Sequence, residues 1–268
     1  MRPIIIGNWK MHLGYGEALL LANSISKACE KTPEVDVVIC PPALYIFPIF
    51  EELRSHPRNF FLGLQNTMWE DGGAFTGEVS LSMVKRVCKY VIIGHSERRR
   101  IFGETDEMVS KKTRFALESD ISPIICVGEE ERFHLEDYYD REVARMKKEG
   151  GILSQIDRAL HQVSHGDLSK VTIAYEPVWS VGTGNNANGA YAAAICFIIK
   201  NYLAEKYSPA IAKEIAVIYG GSVNSKNVPE LLMQPSIDGL LVGGESLSTR
   251  EFGAICKITS EVKSGRAI

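Results

Sequence analysis

The stretch VTIAYEPVWSVGTG, Val171–Gly184, carries the pattern on which the fold turns. It opens with a short run, Val171–Tyr175, that is mostly apolar and does not alternate strictly with polar residues. A run of this kind suits a strand buried on both faces, as in a parallel sheet covered by helices. It breaks at Glu176-Pro177 and passes into a segment punctuated by Gly182 and Gly184. Working outward, comparable runs lie at Pro3–Gly7, Val35–Cys40, Phe60–Gln65, Tyr90–Gly94, Ser122–Val127, Ile215–Tyr219 and Ile237–Val242. Between them the apolar residues take a helical period: Ala18, Leu21, Ala22, Ile25, Ala28 and Cys29 form one stripe. Leu153, Ile156, Leu160 and Val163 form a second, and Ile195, Ile198, Ile199 and Tyr202 a third. Strand–helix alternation with no polar linker argues for one α/β domain over residues 1–268. An open doubly wound sheet would alternate in the same way, so it is the count of eight runs that favours a closed (βα)8 barrel.

Length and composition agree. The chain has 268 residues, 45% hydrophobic and 24% charged, and a net charge of −3. That is the composition of a globular protein with a core, at a length that suits one barrel of ~250 residues or two smaller domains. With 30 basic against 33 acidic residues, no nucleic-acid partner is expected. The uncharged stretch Gly189–Ile199 is too short for a bilayer, which needs ~20 residues, and Met1-Arg2-Pro3 opens no secretory signal. No membrane partner and a cytoplasmic location are expected. The six cysteines have no metal-ligand spacing and read as buried free thiols in a reducing compartment. One segment departs from the alternation: Glu129–Gly151, acidic at its start and basic at its end. It reads as an added solvated helix with charge pairs and a Gly150-Gly151 stop. His134 and Asp137 within it supply two metal ligands without a third, so no metal is expected.

Barrels of this type gather their chemistry at the C-terminal ends of the strands. The first run is followed by Asn8-Trp9-Lys10, the fourth by His95-Ser96-Glu97, and the sixth by Glu176. The seventh and eighth end in Gly220-Gly221-Ser222 and Gly243-Gly244-Glu245. Taken singly, each has an ordinary reading as a turn or a solvated rim residue. Taken together they converge on one rim. Glycine amides after the last two strands, with the Ser222 hydroxyl, suit a phosphate group. No GxxxxGK[ST] loop is present, which disfavours nucleotide phosphoryl transfer. A sheltered carboxylate, a neutral imidazole and a fixed ammonium suit proton transfer beside a carbonyl, with no metal and no cofactor. Lys10 as a Schiff-base amine is an alternative that needs an ammonium depressed by burial. Pro177–Gly184 reads as a lid, with apolar mass from Val178 and Trp179.

These residues fall in segments that resemble the triosephosphate isomerase family. GNWKM at Gly7–Met11, AFTGEVS at Ala74–Ser80, GHSERR at Gly94–Arg99 and FGETDE at Phe102–Glu107 follow the family's order. YEPVWSVGTG at Tyr175–Gly184, YGGSV at Tyr219–Val223 and LVGG at Leu241–Gly244 complete the set. The resemblance implies a single-domain TIM barrel that interconverts dihydroxyacetone phosphate and D-glyceraldehyde 3-phosphate through an enediolate, in glycolysis and gluconeogenesis. It implies Glu176 as the proton shuttle and His95 as the neutral electrophile. Lys10 and Asn8 become the polarising pair, and Glu97 the carboxylate that holds the lysine. Gly182, Ser222, Gly243 and Gly244 become the phosphate grip. Ala74–Glu78 resembles a loop that inserts into a neighbouring subunit, with Thr76 near its tip, so a homodimer is implied.

The chain also departs from the family pattern. Asn185-Asn186-Ala187 is more polar than usual, and Asn188-Gly189 stands where a small hydroxyl residue and proline are common. A looser hinge is expected there. Glu245 stands where a small residue is usual and is expected to point away from the phosphate. The segment after Glu129 runs roughly ten residues longer than the pattern, a loop variation this scaffold tolerates. Two other functions compete. An isomerase of a tetrulose phosphate would need altered contacts around Asn8 or the lid. A non-catalytic sugar-phosphate binder would be expected to lack Glu176, His95 or Lys10.

Overall fold

The computed structural model describes residues 1–53, 57–180 and 187–265. Its strands are β1 (Ile4–Asn8), β2 (Asp36–Cys40), β3 (Phe60–Leu64), β4 (Tyr90–Ile93), β5 (Ser122–Val127), β6 (Thr172–Tyr175), β7 (Ala216–Tyr219) and β8 (Gly239–Val242). Each lies within two residues of the run expected from sequence. They pair in parallel and in chain order, and β8 returns to β1 through Ile4↔Gly239 and Gly7↔Val242 to close the barrel. Around it lie α1 (Tyr15–Cys29), α2 (Ile46–Glu52), α3 (Ser96–Phe102), α4 (Asp106–Glu118), α5 (Leu135–Met146), α6 (Ile152–Ala159), α7 (Gly189–Lys206), α8 (Pro209–Ala212), α9 (Val228–Leu232) and α10 (Thr249–Lys263).

The strands lack strict polar alternation because both of their faces are dry. Ile4, Ile6, Val38, Cys40, Ile92, Ile124, Cys126, Ala174, Ile218 and Leu241 fill the barrel interior. Their neighbours Ile5, Val37, Ile39, Val91, Ile93, Ile125, Ile173, Val217, Leu240 and Val242 pack outward with the helices. The helical stripes supply the opposing surface: Ala18, Leu21, Ala22, Ile25 and Cys29 are buried on α1, and Ile195, Ile198 and Ile199 on α7. Ala28 and Tyr202 sit at the margin of their stripes, partly exposed. All six cysteines are buried free thiols.

The charged segment is only partly the solvated helix that its composition suggests. α5 is interrupted at Tyr138, whose φ of −140° and ψ of 43° are not helical. Glu129, Phe133, Glu142 and Met146 are buried. Arg145 links the segment, facing Glu142, donating to the Glu131 carbonyl at 3.1 Å and lying 4.4 Å from the Phe133 ring centre. Its end does fall at the two glycines: Gly150 takes φ 79°, and Gly151 caps α6.

Closure of the barrel leaves no room at one seam. A methyl group on Gly239 would lie 2.0 Å from the Ile4 carbonyl oxygen across the β1–β8 pair. Gly239→Ala is therefore expected to cost about 3 kcal/mol by forcing backbone shifts at the seam, read as a lower urea midpoint with an unchanged m-value. An unaltered midpoint would contradict this tight contact.

Candidate active site

The alternation of a strand carries the interior rows straight into the barrel mouth. Asn8 follows Ile4 and Ile6, Glu176 follows Ala174, Gly220 follows Ala216 and Ile218, and Gly243 follows Leu241. A cavity of about 390 Å³ opens there, lined by Asn8, Lys10, His95, Glu176, Ser222, Gly243 and Gly244, with Ser96 and Glu245. Glu97 stands behind the lining and pairs with Lys10, Nζ to Oε1 2.6 Å. Gly182, with the rest of 181–186, lies outside the described residues.

Lys10 reaches the site from a left-handed backbone, φ 51°, a conformation that costs energy for a residue with a Cβ. Two side chains hold it. The Lys10 N–H donates to Asn8 Oδ1 at 3.0 Å, and the Gln65 amide donates to the Lys10 carbonyl at 2.8 Å. Gln65 donates as well to the Cys40 carbonyl, so β3 braces the loop after β1. Sequence gave no sign of this role, because a glutamine at a strand end looks like any rim residue.

His95 is the N-cap of α3, and the Glu97 N–H points at its Nδ1 across 3.2 Å. Nδ1 thus accepts, which places the proton of the neutral ring on Nε2. Nε2 faces Glu176 Oε1 at 3.0 Å, and the Ser96 N–H donates to Oε2 at 2.9 Å. The carboxylate is buried. Burial raises its pKa, but His95, the Ser96 N–H and Lys10 outweigh this and hold it below the ordinary glutamate value. For His95, burial pushes the imidazole down, and Glu176 reverses the direction while the two remain paired. Glu176 is thus buried with both carboxylate oxygens occupied. Gly128 fixes its height: a methyl group there would meet the Glu176 carbonyl oxygen at 1.9 Å.

Beneath the site, Glu129 organises the chain that follows β6. Its Oε1 accepts from Tyr175 Oη at 2.8 Å, Trp179 Nε1 at 2.8 Å and Tyr191 Oη at 3.0 Å. Trp179 belongs to a 3₁₀ turn, Val178–Ser180, so the tryptophan of the expected lid is bonded and partly buried rather than an idle surface ring. After the undescribed residues, Asn188 caps α7 by accepting from Tyr191 N at 2.8 Å. Gly189 loses the fixed φ of a proline but gains a donor, its N–H reaching Glu230 Oε1 at 2.8 Å. A Cβ at Gly189 would collide with that same carboxylate at 2.4 Å. At Asn188–Gly189, then, the chain is held, and the looser hinge expected over Asn185-Asn186 falls outside the described residues.

A closed parallel barrel with a carboxylate, an imidazole, an ammonium and glycine turns at one mouth defines the class of sugar-phosphate isomerases that work by proton transfer. A family model described as triosephosphate isomerase matches residues 3–259. A triosephosphate isomerase of Thermoanaerobacter sp. (strain X514) is 42% identical over 255 residues, 95% of this chain and 98% of its own. That of Rhodopirellula baltica is 42% identical over 258 residues, covering 96% and 97%. A third, from Dehalococcoides mccartyi (strain ATCC BAA-2100 / JCM 16839 / KCTC 5957 / BAV1), is 40% identical over 265 residues, covering 98% and 99%. The chain belongs to the triosephosphate isomerase family.

Among the described residues, no helix is long and apolar enough to cross a membrane. A pH signature follows from the hub. Burial pushes Glu129 from 4.5 up to about 7, its three hydrogen bonds offsetting only part of the cost, and its Oε2 has no partner among the described residues. The folded state thus keeps a proton that the unfolded chain has already released. This contribution is complete below pH 4.5 and disappears as pH rises through about 7. Relative to Glu129→Gln, the wild type should lose about 3 kcal/mol of stability over that range, measured by urea unfolding on either side of it. Parallel stability curves for the two proteins would refute the shift.

Proposed function

We propose that this barrel interconverts dihydroxyacetone phosphate and D-glyceraldehyde 3-phosphate by carrying one proton between adjacent carbons. The observation that supports this most directly is the cluster of Glu176, His95 and Lys10 in one cavity with the amide-bearing turns after β7 and β8. The phosphate takes the end of the cavity formed by Ser222, Gly243 and Gly244, with Gly182 as a further contact in the loop. Amide donors and the Ser222 hydroxyl at that end complement a dianion, while Glu245, expected from sequence to stand clear of it, is among the residues that line the cavity. The carbonyl end then meets His95 Nε2 and Lys10 Nζ.

Substrate binding gives His95 Nε2 a new acceptor, so Glu176 gives up the partner that lowers its basicity. Burial, which raises it, is then opposed only by the Ser96 N–H and Lys10. The carboxylate removes the proton from C1 of the ketose and returns it to C2. Meanwhile His95 moves a proton between the two oxygens. The enediolate charge that appears between these steps is met by Lys10, whose pairing with Glu97 and bracing by Asn8 hold it in place. No electrons leave the substrate, so the atoms balance without a cofactor. The tetrulose-phosphate and non-catalytic alternatives gain nothing from this arrangement.

A homodimer is part of the same proposal. Residues 70–78 form a continuous exposed arm after β3, with Phe75 and Thr76 on it. Met11, Leu44, Phe47, Phe75, Ile101 and Phe102 are exposed apolar side chains on the segments after β1 to β4, which are neighbours around the barrel. Such a concentration suits a self-complementary interface. We further propose that residues 1–268 act as one domain, with 129–151 as an extension of it, and that the enzyme works in the cytoplasm.

Glu176→Gln keeps the shape and removes the base. In a coupled assay on both triose phosphates, kcat should fall by about 10³-fold or more, while competition by inorganic phosphate persists. Retention of full turnover would overturn the mechanism. In sedimentation velocity the wild type should run as a dimer and Phe75→Asp as a monomer; a monomeric wild type would remove the interface.

A further inference from the structure

We infer that Tyr191 and Arg132 are positioning residues for the reaction, acting on Glu176 through Trp179. They come from different parts of the chain. Arg132 lies in the charged segment after β5, and Tyr191 lies in the first turn of α7. Both meet on the Trp179 indole. The rings of Trp179 and Tyr191 pack edge to face with centres 5.7 Å apart. The Arg132 guanidinium lies 5.5 Å from the Trp179 ring centre and 5.1 Å from that of Tyr191.

Tyr191 is the buried member, and its hydroxyl is used twice. It donates to Glu129 Oε1 at 3.0 Å and accepts from the Phe133 N–H at 3.0 Å. One side chain thereby fixes α7 to the base of the charged segment. Arg132 is exposed and covers the pair from the solvent side. A cation over two aromatic faces is attracted by both ring quadrupoles.

The held indole stands three residues after Glu176. The Val178–Ser180 turn that holds the indole is closed by Ser180, whose N–H and hydroxyl both donate to the Pro177 carbonyl at 2.9 Å. The Trp179 N–H donates back to the Glu129 carbonyl at 3.3 Å. The link from indole to candidate base is thus short and internally bonded, so displacement of the ring is passed to the residue that must move onto the substrate. A small misplacement of a catalytic group costs rate more than affinity when the phosphate contacts are untouched. This inference rests on the assignment of Glu176 as the base.

The test compares kcat and KM on glyceraldehyde 3-phosphate for four single variants and one double, with melting curves and near-UV circular dichroism. Tyr191→Leu should lower kcat about tenfold while KM stays within about twofold. Tyr191→Phe keeps the ring and should retain most of the rate. Arg132→Met should cost about threefold, and Arg132→Lys should restore it because it keeps the cation. The double variant Tyr191→Leu/Arg132→Met should be no slower than Tyr191→Leu, since both act on one indole. The Trp179 part of the tryptophan band near 290 nm, taken as the difference from a Trp179→Phe reference because Trp9 and Trp69 also contribute, should weaken in step with the losses, whether or not the enzyme turns over. Wild-type kcat in Tyr191→Leu, losses that multiply in the double variant, or losses that vanish once scaled to the folded fraction would each overturn the inference. A wild type without triose-phosphate turnover would defeat the functional reading instead, and the dichroism would still report whether the indole is held.

Discussion

The strand-borne part of this site depends on a parity rule imposed by barrel closure. Strand side chains point alternately inward and outward, and the β1–β8 pairing leaves no edge at which the register can slip. Once Ile4 and Ile6 face the interior, Asn8 must face the mouth; once Ala174 does, so must Glu176. The apolar rows therefore bring Asn8 and Glu176 together, while His95, two residues after the outward-facing Ile93, enters the mouth after a left-handed Gly94, φ 71°. The close approach of Gly239 to Ile4 and of Gly128 to Glu176 shows how little slack that rule leaves.

Within this frame the chemistry is a balance of opposed effects on one carboxylate. Burial favours the protonated form of Glu176, while His95 Nε2 and the Ser96 N–H favour the charged form. The barrel can thus keep a dry, ionised carboxylate without leaving it unsatisfied. In the proposed mechanism, a ligand that competes for His95 shifts the balance toward basicity. The position of His95 as the cap of α3 contributes to this balance, because the backbone N–H of Glu97 occupies Nδ1 and leaves Nε2 to face Glu176.

The extended segment after β5 is more than an appendage on the outside of the barrel. Its first residue, Glu129, gathers Tyr175, Trp179 and Tyr191 on a single oxygen, and its fourth, Arg132, covers the two rings. The chain on each side of residues 181–186 is therefore tied to one short piece of β5 loop. Composition pointed to a solvated helix because most of the segment is charged. It could not distinguish the few charges that point inward from the many that do not.

Sequence by itself determined the strands, their number and the rim on which Asn8, Lys10, His95, Glu176, Ser222, Gly243 and Gly244 stand. Runs without polar alternation can be buried only by covering both faces, and eight of them in parallel close a barrel. Identity and order of the polar residues after each run were likewise legible, since chemistry follows residue type. Only tertiary structure decided how they are held: the strained Lys10 propped by Gln65, Glu176 parked on Ser96, the donor gained at Gly189, and the cage around Trp179. These contacts join residues far apart in the chain, and their strength lies in distance and burial. Neither quantity exists until the barrel has closed.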